Sequence, residues 1–580
     1  MKKSNFTAFL IHYIGRYRGL FFVAMLCMAL SSLSLLFFPF FTGRIIAEVS
    51  GGESWIIQGS LNITVALLLI LLLRGVFSFF HTYLFGRVAV YATADVRRDV
   101  FSRMVHVPLE YFDEHNSGEL VSRLAADVEI LQQTFQLTVA QFLRQIVLVV
   151  FGMIAVCVIA LPLSGIMFLI VLPVAVSVIF LGRALRRRAR ELADARAAAN
   201  SMSGEILQMA ETVKAFANEQ FECERYGRTL DVVRRQGERT ALFQAFAGNV
   251  LVFCVLGGMA ILLYFGTMLI SRGIIELADL ISFVLYSGFI AGSAVGLGHS
   301  VTQIQRASGA AERIREILRQ SPERDEAACS APAEVAQVGG DEQASTVSGR
   351  AQGVQHASTG AEISIQDLHF HYPARPEDEI FHGADLKISA GSIVYITGIS
   401  GEGKTSLFKL LLALYKPQAG EIRVDGILPD AQFVREYRQQ FALVPQDVLL
   451  FSGTIRDNIA YGMPGAHDAQ IEQAAKQANA LEFIQTFPDG FDTIIGERGT
   501  RLSGGQRQRI AIARAVLRNP RVLLLDEAMN SLDKESGDRV REALQRLMQG
   551  RTVIAITHAV PEGVPPESVF TLREGRFYPA

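Results

Sequence analysis

The sequence predicts an all-α bundle of six membrane-spanning helices fused to a soluble α/β domain built on a phosphate-binding loop. Three observations carry that reading. The first half of the chain holds long apolar runs flanked by arginines. In the second half an apolar strand, 392–397, leads into Gly398-Ile399-Ser400-Gly401-Glu402-Gly403-Lys404-Thr405-Ser406 and then a helical run. Further on, Val522-Leu523-Leu524-Leu525 is an unbroken apolar run that ends in Asp526-Glu527.

The 580 residues suffice for several domains; half are hydrophobic and the mean hydropathy is +0.28. A net charge of −2 gives a nucleic-acid role no support. Cys27, Cys157, Cys223, Cys254 and Cys329 are odd in number and scattered, so they read as free thiols rather than a metal or disulfide framework. The first long apolar run has no small-residue cleavage site after it, which argues against a removed leader.

Near the start, Phe6, Phe9, Leu10, Tyr13, Ile14 and Tyr17 recur at helical spacing, with His12, Arg16 and Arg18 among them. This predicts a short amphipathic helix lying on the membrane surface. Six spans follow at 20–41, 61–85, 137–161, 164–181, 246–270 and 277–301, each near the ~20 residues a bilayer core requires. The Lys/Arg bias orients them. Between the first two spans lie Glu48, Glu53 and Trp55, with Arg44 only at the start. Arg87, Arg97, Arg98, Arg103 and Arg123 follow the second span, and Arg183, Arg186, Arg187, Arg188 and Arg190 follow the fourth. Both termini and these two long loops are therefore expected in the cytoplasm. Arg74 and Arg144 interrupt apolar spans, and a charge there should face a cavity or a partner.

The stretch 321–360 has no aromatic residue, no Leu and no Ile. It cannot bury enough apolar surface to fold and reads as a flexible tether. The expected organisation is a transmembrane domain over 1–320, the linker over 321–360 and a nucleotide-binding domain over 361–580.

The glycine-rich loop at 398–406 fits phosphates physically. Gly398, Gly401 and Gly403 let backbone N–H groups, including that of Ser400, point at the anion. Lys404 reaches the β- and γ-phosphates, and the Thr405 hydroxyl is a Mg²⁺ ligand. Downstream, Ser503-Gly504-Gly505 opens a helix that Asn519-Pro520 closes. Asp526 and Glu527 emerge at the carboxyl end of a buried strand, where open α/β sheets place ligands.

Leu502-Ser503-Gly504-Gly505-Gln506 resembles the signature motif of the ATP-binding-cassette (ABC) family, and the strand ending in Asp526-Glu527 resembles its Walker B motif. The membrane half is similar to exporters of this family, of the multidrug and lipid subfamily. Pro108 to Asp113 with Ser117 to Leu124, and Glu211 to Phe216, resemble the intracellular loops that end in coupling helices. The resemblance implies ATP and Mg²⁺ as ligands, bound by Gly398 to Ser406 and by Ser503, Gly504, Gly505 and Gln506, the latter group completing the site of a second subunit. It places Tyr372 against adenine, and Gln446 near Mg²⁺ and the γ-phosphate. Asp526 falls in the Mg²⁺ shell, Glu527 behind the attacking water and His558 on the γ-phosphate. Gly496-Glu497-Arg498-Gly499 resembles the loop that touches the intracellular loops, and Asn530-Ser531-Leu532-Asp533 the D-loop. Ile399 and Glu402 stand where the family more often has Pro and Ser; Glu402 is expected to point outward.

The implied protein is an ATP hydrolase coupled to transport: a multi-pass half-transporter of a bacterial cytoplasmic membrane, its ATPase domain in the cytoplasm. It would pair with a copy of itself or a related half-transporter and export or flip a lipid or drug-like substrate by alternating access. A peptide exporter, or one subunit of a heterodimer, is the alternative. The six spans argue against a DNA-repair ATPase, and their fusion to the ATPase argues against an importer.

Overall fold

The computed structural model describes residues 3–49, 60–115, 117–323, 360–429, 434–496, 499–528, 534–561 and 563–580. Expectations resting on Glu53, Trp55, Cys329, Glu497, Arg498, the 530–533 turn and most of the 321–360 linker lie outside the described residues. The chain forms two compact units, Met1–Val100 with Ser122–Glu316, and Phe101–Val121 with Ile317–Ala580.

Among the described residues the N-terminal half is built of helices joined by short turns. Its elements are α1 (Lys3–Gly15), α2 (Arg18–Val49), α3 (Ser60–His106), α4 (Leu109–Glu114), α5 (Ser117–Ser122), α6 (Val128–Gln133), α7 (Val139–Ile159), α8 (Leu161–Gln208), α9 (Ala210–Ala215), α10 (Glu219–Ser271) and α11 (Leu277–Arg319). Among the described residues, Arg18–Glu48, Leu61–His106, Leu120–Ile159, Glu219–Ser271 and Leu277–Arg319 are long and apolar enough to cross a membrane. The fourth predicted span, 164–181, falls within α8, where the described apolar stretch is Leu161–Val171. Large side chains such as Leu61, Leu68, Leu72 and Phe79 stand exposed on α3, a surface that suits hydrocarbon and not water. Helices α8 and α10 have 48 and 53 residues, about 70–80 Å at ~1.5 Å per residue, so they run well past a ~30 Å hydrocarbon core.

Packing in the first unit follows from small residues and hydroxyls. Pro39 inside α2 removes a backbone donor and loosens the ladder around it. Hydroxyls of α11 supply hydrogen bonds there: Tyr286 donates to the Leu36 carbonyl at 2.6 Å and Ser282 to the Pro39 carbonyl at 3.1 Å. Gly43 permits the approach, since a Cβ there would lie 1.9 Å from Ser282 Oγ. Two π-helical turns, Arg123–Asp127 and Thr134–Thr138, interrupt the α5–α7 run. Asp127, buried in the first, takes a bidentate pair from Arg313 at 2.8 and 2.6 Å, which offsets the cost of burying its charge.

The predicted amphipathic helix exists as α1, but its apolar face is not free to lie on a membrane. Phe6, Phe9, Tyr13 and Ile14 are buried within the chain. Tyr13 donates to Asp99 at 3.0 Å, and Tyr17 and Arg16 donate to Asp95 at 2.9 and 3.3 Å. Carboxylates on the polar extension of α3 capture a phenol of this helix and the guanidinium and phenol of the turn that follows it, which its own periodicity could not reveal. Arg74 and Arg144 are half-buried.

In the second unit the strands are β1 (Ile363–His371), β2 (Glu379–Ile388), β3 (Ile393–Thr397), β4 (Ala419–Val424), β5 (Phe441–Val444), β6 (Val522–Asp526), β7 (Thr552–Ile556), β8 (Val569–Arg573) and β9 (Arg576–Pro579). The helices are α12 (Lys404–Leu411), α13 (Val434–Gln439), α14 (Ile455–Ala460), α15 (Asp468–Gln477), α16 (Leu481–Thr486), α17 (Gly504–Arg518) and α18 (Lys534–Met548). A three-stranded antiparallel sheet has the order β2-β1-β4, and a six-stranded sheet the order β5-β6-β7-β3-β8-β9. The larger sheet is parallel except at its β9 edge. Every residue of β6 and β7 is buried, as expected of parallel strands covered on both faces.

Candidate nucleotide site

The strand order collects the motifs. Strands β5, β6, β7 and β3 are successive neighbours, all parallel, so their carboxyl ends share one edge of the sheet. Gln446 follows β5, Asp526 and Glu527 close β6, His558 follows β7, and the glycine-rich loop follows β3. Four motifs scattered over more than 150 residues of sequence thus meet where α/β sheets bind ligands.

The loop requires its glycines. Gly403 has φ +96°, and a Cβ there would come within 2.2 Å of Ile380 Cγ2. Lys404 is buried, its ammonium donating to the Gly398 and Ile399 carbonyls at 2.8 Å each. Glu402 departs from expectation. Its carboxylate does not point outward but turns back on the loop and accepts the Ile399 N–H at 2.8 Å. A carboxylate three residues ahead of a free amide closes the turn locally, the same geometry a capping side chain uses.

The Thr405 hydroxyl donates to Asp526 Oδ2 at 3.3 Å. Burial pushes the Asp526 carboxyl up, the Thr405 hydrogen bond opposes this, and neighbouring Glu527 adds to it. Glu527 has a left-handed backbone, φ +47°, unusual for a residue with a side chain; its N–H is held by the Ile556 carbonyl at 3.1 Å. That strain aims the carboxylate at two partners. Gln446 Nε2 donates to Oε2 at 2.8 Å, and His558 Nε2 lies 2.8 Å from Oε1.

Tyr372, just past β1, is hydrogen-bonded to Ser406 Oγ at 2.9 Å. Ser503 is the N-cap of α17 in a reciprocal capping box with Gln506: the Gln506 N–H donates to Ser503 Oγ at 3.3 Å, and the Ser503 N–H to Gln506 Oε1 at 2.9 Å. Ser503 and Gly504 are exposed while Gly505 is buried. The structure therefore brings together Gln446, Asp526, Glu527, His558, Lys404 and Thr405, and Tyr372 with Ser406. It presents the signature residues at an outward-facing helix N-terminus, a position suited to an anion. Gln508 carries no motif of its own, yet its buried side chain donates to the Ala528 carbonyl at 3.2 Å and ties α17 to the segment after Glu527.

This fold and site define a class: an ABC transmembrane region coupled to an ABC-type nucleotide-binding domain. Comparison with known proteins agrees. Residues 21–294 match the family of the ABC transporter transmembrane region, and 381–530 match the ABC transporter family. The chain is 32% identical over 554 residues to ABC transporter B family member 1 of Dictyostelium discoideum, covering 95% of this chain and 58% of that one. It is 34% identical over 580 residues to the ATP-dependent lipid A-core flippase of Alkalilimnicola ehrlichii, covering 97% of this chain and 91% of the flippase. The solved structure of a bacterial Atm1-family ABC exporter with ATP bound superposes with a TM-score of 0.77 at 25% identity, covering 97% and 94% of the two chains. The chain belongs to the ABC exporter family, multi-pass membrane proteins whose ATPase domains couple hydrolysis to transport.

Proposed function

We propose that two copies of this chain form an exporter with two shared nucleotide sites. It flips or exports a hydrophobic or amphipathic molecule, lipid or drug-like, across a bacterial cytoplasmic membrane. The observation that supports the ATPase chemistry most directly is the convergence of Gln446 and His558 on the Glu527 carboxylate, each at 2.8 Å, beside buried Asp526. Phosphoryl transfer to water needs positioning and charge neutralisation more than covalent chemistry. Lys404 and the loop amides bind the phosphates, and Tyr372 stacks on adenine. The Thr405 hydroxyl, Asp526 and the Gln446 carbonyl oxygen form a hard-oxygen donor set that fits Mg²⁺, which when bound neutralises charge on the phosphates. Glu527 orients a water and takes its proton during attack. His558 holds Glu527 in place and reaches the γ-phosphate. Ser503 and the amides of Gly504 and Gly505, exposed on one copy, close the site of the other.

Closure on ATP favours one conformation because ATP binds that conformation better, and the spans switch from inward- to outward-facing. The lipid reading draws on the flippase relative and on the apolar surface of the spans. It is tested by the ATPase rate of purified protein in lipid nanodiscs, titrated with amphipathic lipids, drug-like cations and peptides. At least a twofold stimulation by a lipid or drug-like molecule is expected. Stimulation by peptides alone would move the substrate to the peptide class.

A further inference from the structure

The phosphate loop carries an anion of its own. Glu402 stands just before Gly403 and Lys404, and its carboxylate Oε2 accepts the Ile399 N–H at 2.8 Å. The same oxygen lies against Gly398, where an added Cβ would come within 2.7 Å of it. The Glu402 N–H returns to the Ile399 carbonyl at 3.4 Å, so backbone and side chain close one turn together. A proline at 399 would offer no N–H to hold the carboxylate; Ile399 does. The Ile399 carbonyl meanwhile accepts from the Lys404 ammonium at 2.8 Å. Carboxylate and ammonium are thus fastened to the two ends of one residue. Backbone N and O of a residue lie within ~3.6 Å of each other, which keeps the two charges within ~9 Å. No ion pair joins them among the described residues.

We propose that Glu402 sets the affinity of the nucleotide site. Its fixed negative charge weakens nucleotide binding, and weakens the triphosphate more than the diphosphate. The inference rests on the nucleotide reading above. Lys404 is the cation assigned to the β- and γ-phosphates, so a phosphate that meets Lys404 comes within range of the carboxylate. Like unit charges at roughly 10 Å cost about a 2- to 20-fold loss of affinity, between the screening of bulk water and that of a protein surface. The carboxylate cannot turn away without giving up the Ile399 hydrogen bond, so the charge stays on the loop. MgATP carries one more negative charge than MgADP and meets the larger penalty. Glu402 therefore narrows the preference of the site for MgATP over MgADP. A role confined to closing the turn would depend on the acceptor and not on its charge.

Titration of full-length protein in nanodiscs tests this, with MgADP and with the Mg²⁺ complex of a non-hydrolysable ATP analogue. Wild type is compared with Glu402→Gln and Glu402→Lys. Gln keeps an acceptor for the Ile399 N–H and removes only the charge; Lys removes the acceptor and reverses the charge. Affinity for the ATP analogue is expected to rise from wild type to Glu402→Gln by about 2- to 20-fold, and to rise again in Glu402→Lys. The gain for MgADP should be smaller in each variant. At ~1 M salt, where the screening length is ~3 Å, the differences should shrink several-fold. Unchanged affinity in Glu402→Gln with a loss in Glu402→Lys would show turn closure alone and overturn the proposal. A gain equal for the two nucleotides, or one that salt leaves intact, overturns it as well. A wild type and variants that bind neither nucleotide overturn the nucleotide reading itself, which separates the two failures.

Discussion

In Glu527→Gln, steady-state ATP hydrolysis falls by roughly 10²–10⁴-fold, the usual contribution of a positioned general base, while MgATP binding is retained. The substitution preserves side-chain size. An amide oxygen can still accept from Gln446 Nε2, now at 2.8 Å, and an amide N–H can still meet the His558 ring. The left-handed backbone at Glu527 is set by neighbouring strands through the Ile556 carbonyl and persists. Only the capacity to take a proton from water disappears. Single-turnover hydrolysis and nucleotide retention after rapid gel filtration check this: hydrolysis slowed by that factor, with mainly ATP and not ADP retained. Turnover near that of the wild type would remove Glu527 from its assigned role.

Lys404→Ala produces a comparably large effect by another route, losing affinity before chemistry. The ammonium is buried and aimed across the mouth of the loop, donating to the Gly398 and Ile399 carbonyls at 2.8 Å each. A hydrogen bond to a charged group is worth ~1.5–3 kcal/mol, about 10- to 150-fold in affinity, so MgATP binding should weaken by at least that range. Lys404→Arg should not restore it, because the wide planar guanidinium does not fit where a compact ammonium sits. Titration with a fluorescent ATP analogue reads the loss directly.

Much of the nucleotide half was legible because its chemistry demands particular residue types at fixed spacing. The expected strand at 392–397 is β3, the apolar run ending in Asp526 is β6, and the helix after Ser503 is α17. Strand order was not legible. Nothing in the local sequence says that β7 lies between β6 and β3, yet this brings His558 to Glu527. Glu402 was read outward from its charge, whereas a local amide captured it. The α1 face was read as a membrane surface because Asp95 and Asp99, its partners, lie about eighty residues away. The spans were placed by hydropathy, but α8 and α10 continue far beyond them, since helix geometry persists where apolarity ends. The π-helical turns around Asp127 leave no periodic trace.

The most direct test of the shared-site account uses Lys404→Ala and Ser503→Arg, each expected to be inactive when paired with its own copy. The first removes the ammonium proposed to bind the phosphates. The second puts bulk and charge at the exposed cap of α17, where the other copy's γ-phosphate should rest. The two variants are co-expressed with different tags, and the mixed dimer is isolated by two-step affinity. If each site combines Lys404 of one copy with Ser503 of the other, one site of the mixed dimer carries both defects and the other carries neither. Partial ATPase activity, or nucleotide trapped at the intact site where the two must fire together, is the predicted result. A mixed dimer that neither hydrolyses nor traps nucleotide would contradict the account, because every site would then belong to a single chain.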